Sequence, residues 1–381
     1  MLIHSIEFEN YATGQKIQKL NFDELNLLVG VSGAGKTQIL KTLSTYIAVA
    51  SGHSLIDVHI PWAGHFKIDF TIHNYSQSGD WVSKNARWEI ATDPAKSLQG
   101  KSAYEISSEV LLVDDKKIIE RDSKSMRIDG QNAPLIDSKK SAIKIFKTPL
   151  EIDLTYANFF TTVLYYHQLN PLDSVSQKNF EALKDSLRKS SIANETVLKL
   201  YLHYHPVTAQ IGLAKALDED LFEKFLADLQ DIFPSIEDVK IDILSGSDRL
   251  ALFIKEHGKW IPKEDVSSGI LKSIYILSSV NFSPPNTLIL LDELENSLGL
   301  NCLDGVTDFI INASEEGRDQ FILTSHHPYI INHIPTKDWR IVSQNNGVIS
   351  SKSAAEAGID TLYNRQDQFF QLINYMMRAD G

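Results

Sequence analysis

Apolar residues in this chain recur at two periods, and the switching between them sets the expected architecture. LIHSIEFENY (2–11) alternates apolar and polar side chains, as a half-buried strand does. ELNLLVG (24–30) is a short apolar run ending in glycine and predicts a buried strand. TQILKTLSTYIAVA (37–50) changes to helical spacing. HFKIDFTIHNY, ARWEIAT, SEVLLVDD and KKIIERDSKSMRIDG return to alternation with turn residues between them, which predicts an antiparallel layer after the first helix. TTVLYYHQLNP (161–171) is a further strand, closed by proline. From about 171 to 235 the pattern is helical: Leu221, Phe222, Phe225, Leu229 and Ile232 share one face, and Pro234 ends the run.

KIDILSG and RLALFIKEHGKWI predict strands with a turn at Glu256–Lys259. A helix opening on Ser-Ser-Gly follows, then strand NTLILLDE, a helix over about 302–314, strand QFILTS, hairpin WRIVSQNNGVISS and a last helical segment, YNRQDQFFQLINYMMR. Buried strands alternating with helices predict an α/β core around a parallel sheet. The expected divisions are a nucleotide-binding lobe at 1–170, a helical insertion at 171–240 and a C-terminal lobe at 241–381.

Composition narrows the class. With 381 residues, 43% hydrophobic and 23% charged, the chain suits a large folded core. A lone cysteine, Cys302, excludes an internal disulfide and suits a reducing cytoplasm. The N-terminal segment carries acids early and lacks an apolar stretch, so no secretory leader is expected. No apolar run approaches the roughly 20 residues that span a bilayer. The formal charge of −12 opposes wrapping of duplex DNA, which needs clustered Lys and Arg. Lys139, Lys140, Lys144 and Lys147 form a weak basic cluster and read as a solvated helix face. DNA binding is left open.

GVSGAGKT (30–37) matches the phosphate-loop pattern in full, after a buried strand and before a helix. Gly30, Gly33 and Gly35 free the backbone to cradle phosphates, together with Ser32 and Ala34 of the same loop. Lys36 can reach the β- and γ-phosphates, Thr37 offers a hydroxyl to Mg²⁺, and Gln38 follows in the first helical turn. The expected ligands are ATP and Mg²⁺.

An ATPase of this kind also needs a carboxylate at the end of a neighbouring buried strand. VLLVDD (110–115) is followed at once by Lys116 and Lys117 and by continued alternation, so it reads as a half-exposed hairpin. LILLDE (288–293) is the better candidate: Asp292 would order Mg²⁺ and Glu293 would polarise the attacking water. ILTSHHP (322–328) ends a third strand at His326, placed to hydrogen-bond the γ-phosphate or the attacking water. No acidic or cysteine cluster at ligand spacing makes His326–His327 or His203/His205 a metal site. Ser267, Ser268 and Gly269, at the start of a helix, form a seat for an anion or, more simply, a serine N-cap.

The order of these motifs resembles that of ABC-type ATPases, and more narrowly the RecF, SMC and OLD group. Val266-Ser267-Ser268-Gly269 stands at the group's signature, Asn296-Ser297-Leu298 at its D-loop, TSHHP at its switch, and FENYAT at an N-terminal stretch near the adenine, which makes Asn10 and Tyr11 nucleotide contacts. Gln168 matches the Q-loop glutamine that senses Mg²⁺. Ala12, Leu294 and Gly299-Leu300 depart from the group's usual Arg or Lys, Pro and His-Pro. The resemblance implies a P-loop ABC-type fold with a short helical insertion and no long coiled coil. It implies a homodimer in which the signature of one subunit caps ATP held by the other, with catalytic roles for Glu293 and His326.

OLD-type chains continue into a TOPRIM nuclease, whereas here some fifty residues follow His326 and carry no second acidic cluster. The chain is similar to the stand-alone ATPases of bacterial anti-phage systems, PARIS with a TOPRIM effector more than Septu with an H-N-H effector. This implies a higher homo-oligomer that holds a separate nuclease and releases it on meeting a phage trigger protein. FFQLINYMM near the C-terminus is equally an assembly face or a packed terminal helix. Two other classes stand beside this one: a RecF-like DNA-repair ATPase that clamps DNA, and a small-molecule P-loop kinase.

Overall fold

The computed structural model describes residues 2–56, 58, 63–75, 81–95, 103–145, 161–164, 175–189, 195–202, 205–244, 246–359 and 364–379. The first part of the chain forms β1 (Leu2–Asn10), β2 (Lys16–Asn21), β3 (Leu25–Val29), α1 (Lys36–Ala50), β4 (Gly64–Tyr75), β5 (Trp81–Ala95), β6 (Ala103–Val113), β7 (Lys116–Asp122), β8 (Met126–Ile128), β9 (Gln131–Asn132), α2 (Ala142–Ile145) and β10 (Thr161–Leu164). The middle carries β11 (Val175–Ser176), α3 (Gln177–Lys189), α4 (Glu195–Leu202), α5 (Val207–Leu217), α6 (Glu219–Ile232), β12 (Ile236–Ile243), β13 (Arg249–Glu256), β14 (Lys259–Pro262) and α7 (Ser268–Asn281). The last part carries β15 (Leu288–Leu291), α8 (Leu300–Glu315), β16 (Gln320–Thr324), α9 (Pro328–His333), β17 (Trp339–Asn345), β18 (Val348–Ser353) and α10 (Arg365–Ala379).

Contacts divide the chain into two units, one of residues 1–163, 286–292 and 320–381, the other of residues 164–285 and 293–319. The first is built on a sheet ordered β10-β15-β16-β3-β17-β18-β2-β1-β4-β5-β6-β7-β8-β9. β15, β16, β3 and β17 run parallel. β3, β15 and β16 are buried at every position. That explains why they are mostly apolar in sequence, since strands covered on both faces have no polar side to alternate with; their polar residues Asn26, Gln320 and Thr324 are buried too.

From β1 through β9 the neighbours are antiparallel, as the alternating segments predict. Helix α1 turns Ile39, Leu40, Leu43, Tyr46 and Ile47 inward. Tyr46 stacks on Phe66 of β4 with centroids 4.2 Å apart, and Phe66 meets the edge of Trp88 of β5. Each such buried ring contributes about 1.5–3 kcal/mol. A buried carboxylate ties this layer together. Glu109 accepts from Trp88 Nε1 at 3.2 Å, the Ala142 amide at 2.9 Å and Ser141 Oγ at 2.5 Å, beside the Arg121 guanidinium at 3.6 Å. Burial pushes the Glu109 carboxyl up, and these partners offset the cost of its charge. VLLVDD is a hairpin here: Asp114 and Asp115, at φ 47° and 62°, make the tight turn between β6 and β7. Lys139 and Lys140 precede α2 in a turn, so the expected helix face is not formed there; Lys147 lies outside the described residues.

The second unit sets helices beside a small antiparallel sheet in which β13 pairs with β11, β12 and β14. Asp218 caps α6, accepting from the Leu221 amide at 3.0 Å. Of the apolar face the spacing predicts for α6, Leu221, Phe222, Phe225 and Leu229 are buried and Ile232 at its end is half-buried; Phe225 meets Phe282 just past α7 at 5.2 Å between centroids. The longest helix among the described residues has 16 residues, in keeping with a short insertion and no long coiled coil. No helix among the described residues is long and apolar enough to cross a membrane.

Candidate functional site

The C-terminal ends of the parallel strands gather the phosphate loop, Asp292 and His326 in the first unit. Ligands of open α/β sheets bind at such ends. The loop geometry demands its glycines. A Cβ on Gly30 would lie 2.4 Å from the Val342 carbonyl oxygen of β17, and Gly33 and Gly35 hold φ of 85° and 95°. Ser32 and Gly33 are exposed at the rim, while Ala34 is buried beneath it, its amide donating to Val31 O at 3.2 Å. Lys36 opens α1 and is only 5% exposed. Its ammonium donates to Gly30 O at 2.7 Å and Val31 O at 3.0 Å, so it closes over the loop's own backbone.

Asp292 follows β15, and β16 lies between that strand and the phosphate-loop strand β3. Two hydroxyls bridge the gap: Thr324 Oγ1 donates to Asp292 Oδ1 at 2.6 Å and Thr37 Oγ1 to the same oxygen at 3.1 Å. Asp292 is 6% exposed. Hydroxyl and carboxylate oxygens beside a phosphate loop are the hard donors Mg²⁺ takes, so the residues present fit that ion. Gln168 lies outside the described residues. His326 is exposed just past β16, following Ser325, whose hydroxyl accepts from the His327 amide at 3.0 Å.

Asn10, expected as a nucleotide contact, shapes its own turn. Its side-chain oxygen accepts from the amides of Ala12 and Thr13 at 2.9 and 3.2 Å, which shapes the β1–β2 turn. Tyr11 in that turn is 51% exposed. Burial, Glu9 and Asp93 raise its phenol. Gln15 Nε2 donates to Gln38 Oε1 at 2.7 Å and so docks the turn on the first turn of α1. Gln15 was not singled out by motif. Thr324 opens the TSHHP switch segment, but the motif assigned it no contact with Asp292.

In the second unit, Ser267 is the N-cap of α7, its hydroxyl accepting from the Ile270 amide at 3.3 Å. Ser267 and Ser268 are exposed. Gly269 packs on the Asn296–Ser297 segment: a Cβ there would come 3.1 Å from Ser297 O. Glu293 and Ser297 both have left-handed backbone, φ 49° and 62°, uncommon for residues with side chains. Asn296 Nδ2 donates to the Glu293 carboxylate. The structure thus brings Ser267, Ser268 and Gly269 together with Asn296 and Ser297, and Glu293 joins them through Asn296.

Residues 25–332 match the family described as "AAA domain, putative AbiEii toxin, Type IV TA system". No curated protein matches the sequence. Among solved structures, similar chains include an Smc head bound to the C-terminal winged-helix domain of ScpA, at 14% identity over 92% of this chain and 97% of that one, TM-score 0.49. A second is an Smc head with an extended coiled coil bound to the C-terminal domain of ScpA, from Pyrococcus furiosus, at 13% identity over 94% and 98%, TM-score 0.46. A third is the SMC head domain from Thermotoga maritima, at 12% identity over 93% and 99%, TM-score 0.41. The family match begins at β3, takes in the phosphate loop, the α7 N-terminus, Asp292 and His326, and ends within α9, so the chain belongs to this family of AAA ATPase domains.

Proposed function

We propose that this chain hydrolyses ATP at a composite site between two copies of itself and serves as the sensing and scaffolding subunit of an anti-phage defence complex. The observation that carries the ATPase reading is Asp292, held by Thr37 from the phosphate loop and by Thr324 from the intervening strand. Lys36 would leave the Gly30 and Val31 carbonyls for the β- and γ-phosphates, exchanging neutral acceptors for charged ones. Thr37 and Asp292 would hold Mg²⁺, which when bound neutralises charge on the phosphates. Glu293, next in the chain, acts as general base toward water, and Asn296 holds its carboxylate. His326 contacts the γ-phosphate or the attacking water.

Ser267 and the Gly269 amide, on the exposed start of α7, meet the γ-phosphate of a partner's ATP. Such a site forms only when two chains close on nucleotide, so ATP would control assembly. A separate nuclease, of TOPRIM rather than H-N-H type, is the effector held by the assembly, and a phage protein is its trigger. The family's description as an AbiEii-like toxin of a type IV toxin–antitoxin system is consistent with a defence role.

Mixing variants tests the composite site. Ser267→Arg and Lys36→Ala chains are each expected to be inactive alone, and their mixture to regain turnover, because one of its two sites would pair an intact loop with an intact Ser267. No recovery in a mixed dimer shown to form overturns the shared site. Co-elution with a nuclease on ATP addition supports the scaffold role, and an ATP-independent monomer opposes it.

A further inference from the structure

Helix α7 carries a cation on its buried face. Lys272 is 5% exposed, and its ammonium donates to three carbonyls of one turn: Asn296 O at 2.7 Å, Leu294 O at 2.8 Å and Glu293 O at 3.3 Å. An ammonium has three N–H donors, which suits it to gather convergent carbonyls. The turn it gathers is the unusual one, left-handed at Glu293 and Ser297. The turn's own backbone adds bonds from the Asn296 amide to Glu293 O at 2.9 Å and from the Leu298 amide to Glu295 O at 3.0 Å. On the same helix, three residues earlier, Gly269 sits against Ser297 O with no room for a larger residue to approach without a shift. Lys272 therefore joins the start of α7 to the residues around Glu293 inside one unit.

We infer that Lys272 is a positioning residue for ATP hydrolysis: by clamping the 293–297 turn to α7 it sets the Glu293 carboxylate, and makes Glu293, Asn296 and Ser267–Gly269 one rigid piece. This rests on the roles given above to Glu293 and Ser267. A salt bridge alone would not do the same, because the groups held are backbone carbonyls, whose positions fix the left-handed turn directly. The charged form is the effective one. Burial pushes the Lys272 ammonium down to about 7, against the opposing pull of the Glu295, Glu293 and Cys302 groups that face it. Losing the proton removes one donor and aims a lone pair at carbonyls. Turnover should then fall as pH rises through that range.

The test compares full-length wild type, Lys272→Met, Lys272→Arg and Glu293→Gln for ATP turnover and for binding of a fluorescent ATP analogue, from about pH 6 to 9. Lys272→Met is expected to lower kcat by roughly 10–100-fold with KM for ATP within about twofold, the effect of a lost supporting contact. Lys272→Arg is expected to restore most of kcat and to lose the alkaline decline, because a guanidinium stays charged there. Glu293→Gln slowed with Lys272→Met unchanged overturns the role of Lys272 alone. Glu293→Gln turning over as wild type overturns the assignment of the base, and this inference with it. The same alkaline decline in wild type and Lys272→Arg overturns the clamp whether or not Lys272→Met folds.

Discussion

Thr324 Oγ1 donates to Asp292 Oδ1 at 2.6 Å, and Thr37 reaches that oxygen from the phosphate loop at 3.1 Å. Thr324 thereby orients the carboxylate without itself belonging to the phosphate loop. Thr324→Val keeps the shape of the side chain and removes the donor. We expect turnover to drop about 10-fold, with more Mg²⁺ needed to saturate it, since lost support of a ligand commonly costs 10–100-fold. A Mg²⁺ titration of ATPase activity checks this, and an unchanged titration would separate Thr324 from the metal site.

Lys36 answers a different question, whether nucleotide binds at all. Lys36→Ala removes the ammonium that closes on Gly30 O and Val31 O. ATP affinity is expected to weaken by about 100-fold or more, on the order of 2.7 kcal/mol. Equilibrium titration with a fluorescent ATP analogue measures it, and thermal denaturation shows whether the chain remains folded.

Glu293→Gln should separate binding from chemistry. The amide keeps the size of the side chain and cannot take a proton, so kcat is expected to fall roughly 10²–10⁴-fold while ATP affinity stays near wild type. Asn296→Asp would set a second carboxylate against Glu293 in place of a donor. It is expected to slow turnover at neutral pH and to spare binding. Single-turnover kinetics beside equilibrium binding distinguishes the two effects.

Two glycines of the phosphate loop should respond for opposite reasons. Gly30→Ala drives a Cβ to 2.4 Å from the Val342 carbonyl oxygen, a backbone atom of β17 that cannot rotate aside. A loss of about 1–3 kcal/mol of stability is expected, as for overpacking elsewhere. Gly33→Ala meets nothing within 4 Å, and its cost comes from φ 85° alone. That cost is about 1–2 kcal/mol. Chemical denaturation gives both values, and a neutral Gly30→Ala would mean that the sheet yields.

Much of the site is contiguous in sequence, and that part was legible. GVSGAGKT needs only its own backbone preferences and a buried strand before it, so the loop, Lys36 and Thr37 appear where the motif puts them. The same holds for the mostly apolar strands β3, β15 and β16 and for the hairpin turn at Asp114 and Asp115, which Lys116 and Lys117 mark as solvated. Asn10 was named by its motif alone; that its side-chain oxygen shapes the β1–β2 turn became visible only in the structure.

Lys272 could have been suspected, since it lies four residues before Ile276 and eight before Val280 on the buried stripe of α7. A lysine on an apolar stripe signals a buried partner without naming it. The partner became visible only with the turn at Glu293–Asn296, some twenty residues on.

By itself, then, the amino-acid order determined the local parts: the glycine-rich loop, the strand and helix periods, and the serine cap of α7. Tertiary structure alone decided which residues share a carboxylate and which carbonyls share an ammonium. Thr37 and Asp292 are 255 positions apart, and only the placing of β16 between β3 and β15, with all three strands parallel, brings Thr37 and Thr324 to the same Asp292 oxygen. Sheet order depends on how buried strands of similar composition pack against one another, and no local preference records that choice.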